Sequence, residues 1–167
     1  MKLRLLALLA VLTLTACGFQ PLYAKRGPMG GLAGEELAKV RIANIPDRTG
    51  QQLRNALIDR MQPQGPTEPA YRLEVSLLEQ QVNLGIQQDA TATRGQLRYS
   101  GTYVLRDASG KELTRESFRA SPSFNILQSE FGTILSSEDA RERGLRQIAD
   151  DITGRLALYF TREKKAA

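Results

Sequence analysis

A two-layer α/β sandwich is the fold this sequence predicts: a four-stranded mixed sheet with two helices on one face, in the order β-α-β-β-β-α. Three patterns carry that prediction. Residues 71–77 and 97–105 alternate apolar and polar with period two, the mark of half-buried strands. Leu53, Leu57 and Met61, and later Leu145 through Phe160, recur at spacings of three and four, the mark of helices with one buried face. Segments rich in Pro and Gly separate these stretches. Helices on one side leave the other side of the sheet in water, as the alternation of the strands requires.

The elements follow in chain order. Val40-Arg41-Ile42-Ala43-Asn44-Ile45 alternates as a short first strand and stops at Pro46. Thr49-Gly50-Gln51-Gln52 has the spacing of a capping box, which opens a helix that Pro63 ends. In the second strand Tyr71, Leu73, Val75 and Leu77 share one face, and Arg72, Glu74 and Ser76 share the other. The apolar phase then moves to Val82, Leu84 and Ile86, which predicts a bulge or bend near Glu79 to Gln81. Leu97, Tyr99, Tyr103 and Leu105 form the apolar face of the third strand, with Arg94, Gln96, Arg98, Ser100 and Arg106 opposite. Asp107-Ala108-Ser109-Gly110 turns the chain into a fourth strand over 111–120. Ser136 and Ser137 are the expected N-caps of the last helix, whose stripe is Leu145, Ile148, Ala149, Ile152, Leu156, Tyr159 and Phe160. Tyr99 and Tyr103 are expected in the core, and Glu35-Glu36 and Asp150-Asp151 on the solvated surface.

The start of the chain carries a different message. Lys2 and Arg4 precede an apolar run from Leu5 to Leu14, far short of the roughly 20 residues that span a bilayer. A charged start, a short apolar centre and a small-residue exit describe an export signal. Leu14-Thr15-Ala16-Cys17 resembles the bacterial lipobox, where cleavage precedes a cysteine whose thiol carries lipid. The expected layout is a signal peptide at 1–16, a lipidated N-terminus and tether at 17–36, one α/β domain at 37–162 and a polar tail at 163–167. Two or more acyl chains anchor stably, so the body is expected to stand in water beside a membrane. Gly18 occupies the position where an aspartate would resemble the inner-membrane retention signal, which implies the periplasmic side of an outer membrane. Apart from the covalent lipid on Cys17, no cofactor and no metal are expected.

Charge and composition exclude much else. The formal charge is +5, and Lys2 and Arg4 leave with the signal. That mild balance in an envelope protein makes nucleic acid an unexpected partner. The chain has no histidine, and its sole cysteine is assigned to lipid. This removes the commonest general base, the commonest metal ligand and the thiol nucleophile. The chain does not read as an enzyme.

Cys17-Gly18-Phe19-Gln20-Pro21-Leu22-Tyr23 at the lipidation motif resembles the LptE family of lipopolysaccharide-assembly outer-membrane lipoproteins, in an alphaproteobacterial-type version. The order of elements and a last helix opening Ser137-Glu138-Asp139-Ala140-Arg141 support the resemblance. It implies a plug seated in an LptD-type outer-membrane β-barrel, one to one, with lipopolysaccharide as the molecule moved to the outer leaflet. An auxiliary lipoprotein of an envelope lipid ABC transporter would share the anchor, size and mixed character. The candidate ligand-binding residues are Arg94, Arg98 and Arg106 on one wet strand face and Arg72 on its neighbour's. Guanidinium groups bind phosphate by paired, charge-assisted hydrogen bonds, and the resemblance makes lipopolysaccharide phosphates the ligand. Against this stands a face balanced by Glu74, Glu112 and Glu116, or packed on a barrel wall.

Overall fold

Two long strands pair residue for residue at the centre of the sheet in the computed structural model, which describes residues 32–65, 67–86 and 92–166. The expected signal peptide, Cys17 and most of the expected tether lie outside the described residues. Strands β2 (Tyr71–Ile86) and β3 (Ala92–Asp107) are antiparallel, with Tyr71 opposite Asp107 and Leu84 opposite Arg94. Strand β1 (Val40–Ile42) lies parallel to β2, so the chain must cross over between them, and helix α2 (Asp47–Met61) makes that crossing. Strand β4 (Glu112–Ala120) pairs with β3 on its other side, and β5 (Ser123–Asn125) continues that edge further along β3. Helix α1 (Leu32–Ala38) precedes β1, and α3 (Glu130–Ala166) closes the chain. The predicted mixed sheet with helices on one side is what the residues form, with α1 and β5 added.

The core lies between the sheet and the helices. Leu53, Leu57 and Met61 of α2, Ile148, Ile152 and Leu156 of α3, and Leu73, Leu97 and Leu105 of the sheet are each at most 1% exposed. Tyr99 and Tyr103 are buried among them, as expected. Two aromatic rings of the outer strands lie over glycines of β3 in register, Phe118 over Gly101 and Phe124 over Gly95. A Cβ at Gly101 would stand 2.5 Å from the Phe118 ring and 2.0 Å from the Ser76 carbonyl oxygen. Only a residue without a side chain admits that packing. Between β4 and β5 the chain kinks at Pro122, whose carbonyl still accepts the Leu97 N–H at 2.9 Å. The Asp107 turn forms as read: its Oδ1 accepts the N–H groups of Ser109 and Lys111, and Gly110 has φ of +87°.

Several expectations need correction. No bulge interrupts β2 near Glu79; pairing with β3 is continuous there, and the one irregularity lies between Leu105 and Arg106 where β3 meets β4. The switch of apolar phase is therefore a switch of face, with Leu78, Val82 and Leu84 turned to the open side of the sheet. The capping box does not form: α2 starts at Asp47 behind Pro46 with no side-chain cap, and the Thr49 hydroxyl bonds Glu79 instead. Helix α3 starts at Glu130, ahead of Ser136 and Ser137; Ser129 Oγ accepts the Gly132 N–H, and Ser137 bonds back to the Ile134 carbonyl. Residues 32–36, expected in the tether, belong to α1, whose Ala33 and Leu37 are buried. At the other end α3 continues into the expected polar tail, through Ala166. Glu36 is buried, not solvated, and accepts from Lys39 and from the Tyr71 hydroxyl.

Leu57→Ala and Ile152→Ala should each lower unfolding free energy by about 2–5 kcal/mol, because both side chains sit fully enclosed in the core. Arg98→Ala, on the open face, should change it by no more than about 0.5 kcal/mol. Denaturant midpoints of the three variants check the assignment of faces.

Candidate functional site: the open face of the sheet

Period-two alternation sends the even-numbered residues 72–84 of β2 and 94–106 of β3 to the side away from the helices. The register sets them in rows: Arg72 beside Arg106, Glu74 beside Val104, Gln80 beside Arg98, Leu84 beside Arg94. β4 adds Arg115 beside Val104 and Arg119 beside Ser100. All four sequence-predicted arginines therefore share one surface. They do not share one environment.

Near β1 the face is neutralised. Glu74 pairs with Arg72 at 3.1 Å and with Arg106 at 3.3 Å, and Glu112 holds Arg115 at 2.8 Å and Arg106 at 3.6 Å. The Arg115 guanidinium holds the Glu112 carboxyl below its usual range. Val104 points outward yet is only 6% exposed, because these paired side chains flank it on both neighbouring strands. Glu116, expected to balance this face, points the other way and pairs with Arg155 of α3 at 3.1 Å.

Toward the far end of the hairpin no carboxylate shares the open face among the described residues. Arg94 and Arg119 have no ion-pair partner among the described residues, and Arg98 bonds only the Gln96 side chain, at 3.0 Å. Around them stand Leu78, 55% exposed, and the half-buried Val82 and Leu84. Leu127 and the first turns of α3 present further exposed apolar side chains, the latter through Phe131, Ile134 and Leu135. Cationic groups thus stand beside accessible apolar surface, the chemistry that suits an amphipathic anion.

A polar clasp behind this face holds the hairpin to the helices. Glu79, on the helix side of β2, accepts from Arg141 Nη2 at 3.0 Å and from the Thr49 hydroxyl at 3.1 Å. Arg141 also reaches Glu138 at 2.6 Å. Burial works to raise the Glu79 carboxyl, but the bonds and charge of Arg141 outweigh it and hold it below the usual 4.5. Tyr99, opposite Glu79 in register, is pushed up by burial and by that negative charge. Sequence reading missed the clasp, since Glu79 and Arg141 lie 62 residues apart. The one available signal was an acidic residue at the odd position that directly follows the apolar Tyr71, Leu73, Val75 and Leu77.

The family model for LptE, described as Lipopolysaccharide-assembly, matches residues 37–157. This chain belongs to the LptE family. It is accordingly an outer-membrane lipoprotein, and its role is non-catalytic. The LptE fold is seen again in solved structures. A lipoprotein from Caulobacter crescentus is 24% identical with a TM-score of 0.67, over 77% of this chain and 96% of that one. A minor lipoprotein from Acinetobacter baumannii is 18% identical with a TM-score of 0.56, over 73% and 94%. Rare lipoprotein B from Shewanella oneidensis is 13% identical with a TM-score of 0.58, over 75% and 97%. No curated protein matches the chain.

Arg141→Ala should cost about 1–2 kcal/mol at neutral pH, less than a fully buried pair because both groups keep about a fifth of their surface exposed. The depressed Glu79 pKa fixes the sign of the pH dependence. Its stabilisation is complete above the ordinary carboxyl value and is lost as pH falls through the lower folded value. The gap between wild type and Arg141→Ala should therefore close below about pH 4 in denaturation measured across acid pH.

Proposed function

We propose that this LptE-family lipoprotein is the one-to-one partner and plug of an LptD-type outer-membrane barrel, and that the far half of its open face contacts lipopolysaccharide phosphates. One observation carries the second part: Arg94 and Arg98, free of carboxylate partners among the described residues, stand beside exposed apolar side chains. Arg72 and Arg106 contribute less, because Glu74 and Glu112 already hold them. Arg119 takes their place in the candidate set. The exposed apolar start of α3 suits contact with a protein wall, and barrel contact through it leaves the arginines to the glycolipid. Anchoring rests on Cys17, the sole cysteine, which lies outside the described residues. The proposed layout keeps the signal at 1–16 and starts the folded body at Leu32, after a shorter tether.

Reversing both charges, Arg94→Glu with Arg98→Glu in the full-length lipoprotein, should replace attraction by repulsion while the exposed positions preserve folding. Lipopolysaccharide binding should fall at least tenfold and lose its salt dependence, with circular dichroism unchanged. Barrel copurification should persist. Undiminished binding by the folded double variant would reject this face as the glycolipid site. Recovery of a translocating ATPase complex in place of a barrel would favour the transporter reading.

Cys17→Ser should leave an unprocessed precursor or a water-soluble form. Outer-membrane fractionation and intact mass identical to wild type would sink the lipidation assignment.

A further inference from the structure

A second cationic place lies at the other end of the sheet and is independent of the glycolipid reading. Two clefts of about 270 and 490 Å³ adjoin at β1, and Arg41, Ile42 and Arg54 line both. Ala43, Asn44 and Arg72 complete the larger one, and neither is lined by a carboxylate. Lys39 and Arg72 are already paired, with Glu36 and Glu74, both at 3.1 Å. Arg41 and Arg54 have no acidic partner among the described residues. Arg54 Nε is moreover buried, and no acceptor among the described residues takes its hydrogen. A buried charged donor left unmet is unfavourable, and native proteins rarely keep one without a reason.

The surroundings narrow what could supply the missing acceptor. An added peptide strand has no ladder to join, because Val40 is fully buried and the Gln62 amide caps its carbonyl at 2.8 Å. Thr67 caps the Ala38 carbonyl in the same way, at 2.8 Å. A compact, multiply accepting anion fits instead, since several guanidinium N–H groups can bond its oxygens at once. We infer that the cleft between Arg41 and Arg54 is an anion site that takes a phosphate group, with the Asn44 amide and Arg72 at its margin. Free phosphate and the headgroup of an anionic phospholipid share that chemistry.

The test uses full-length protein in non-ionic detergent and phosphate-free buffer of constant ionic strength. Inorganic phosphate and short-chain dihexanoyl phosphatidic acid are titrated separately. The readouts are the thermal midpoint and the Arg54 Nε–H resonance in NMR. Binding should raise the midpoint with saturation and move that resonance. Arg41→Gln, at an exposed position, should weaken binding about tenfold, the worth of one charge-assisted bond. Arg98→Gln should not. Tighter binding of the phosphatidic acid would make a lipid headgroup the source, and tighter binding of inorganic phosphate would make it the free ion. Equal response in wild type and Arg41→Gln, or no saturable response to either probe, overturns the site. So does loss of barrel copurification in Arg41→Gln with phosphate binding unchanged, which would make the cleft a protein contact. The Arg94→Glu, Arg98→Glu variant must still respond to phosphate, so failure of the glycolipid reading and failure of this site are told apart.

Discussion

A carboxylate on the packed side of a sheet must be met by a partner or expelled, and Glu79 is met. Arg141 of α3 and Thr49 of α2 both bond it, so one side chain ties the central hairpin to both main helices. Between Glu79 and β1 the helix side of β2 is apolar, through Leu73 and Val75. Beyond Glu79 that side presents exposed Gln81 and Asn83, and Leu78, Val82 and Leu84 face the other way. The clasp marks the line at which β2 exchanges its wet and greasy faces, while β3 keeps Leu97 on the helix side and Arg94 and Arg98 on the open side. The accessible apolar side chains of the far half of the open surface follow from that exchange.

The same residue type behaves differently on the two sides of that line. Arg72 and Arg106 lie within a chain of alternating charge that runs from Arg72 through Glu74, Arg106 and Glu112 to Arg115. Such a network is internally satisfied and presents little field outward at physiological salt. Arg94, Arg98 and Arg119 have no such compensation among the described residues, and their potential extends into solvent. At the opposite end Arg41 and Arg54 repeat the condition in a cleft and not on an open plane.

Legibility in the sequence followed the range of the interactions. The faces of β2 and β3 and the stripes of α2 and α3 were readable, because alternation and helical spacing are local records of burial. That Arg72, Arg94, Arg98 and Arg106 share a face followed from the same parity. Which of them would be neutralised did not, since Glu74 reaches Arg106 only through cross-strand register. Helix α1 was hidden by its seven-residue length and the glycines before it; its stability comes from packing Ala33 and Leu37 against the rest of the fold. Ser136 and Ser137 have the right type for caps, yet Phe131, Ile134 and Leu135 already carry helical spacing ahead of them. Those three are more than half exposed, so the first turns of α3 bury no stripe that would have marked them as part of it. Thr49 likewise had a plausible local bond and made a tertiary one.

Pro122 has a further consequence for a chain concentrated on a membrane. The β4–β5 side is a border of the sheet, where a continuous row of backbone donors and acceptors would invite a second copy to pair edge to edge. Pro122 has no N–H to offer and kinks the row between Ala120 and Ser123, while its own carbonyl is turned inward to Leu97. Charged Glu112, Arg115, Glu116 and Arg119 stud the stretch before it. Molecules confined to two dimensions collide often, and this border gives a neighbouring strand only short, interrupted purchase. Crowding on the membrane can therefore rise without seeding cross-β aggregation along this side.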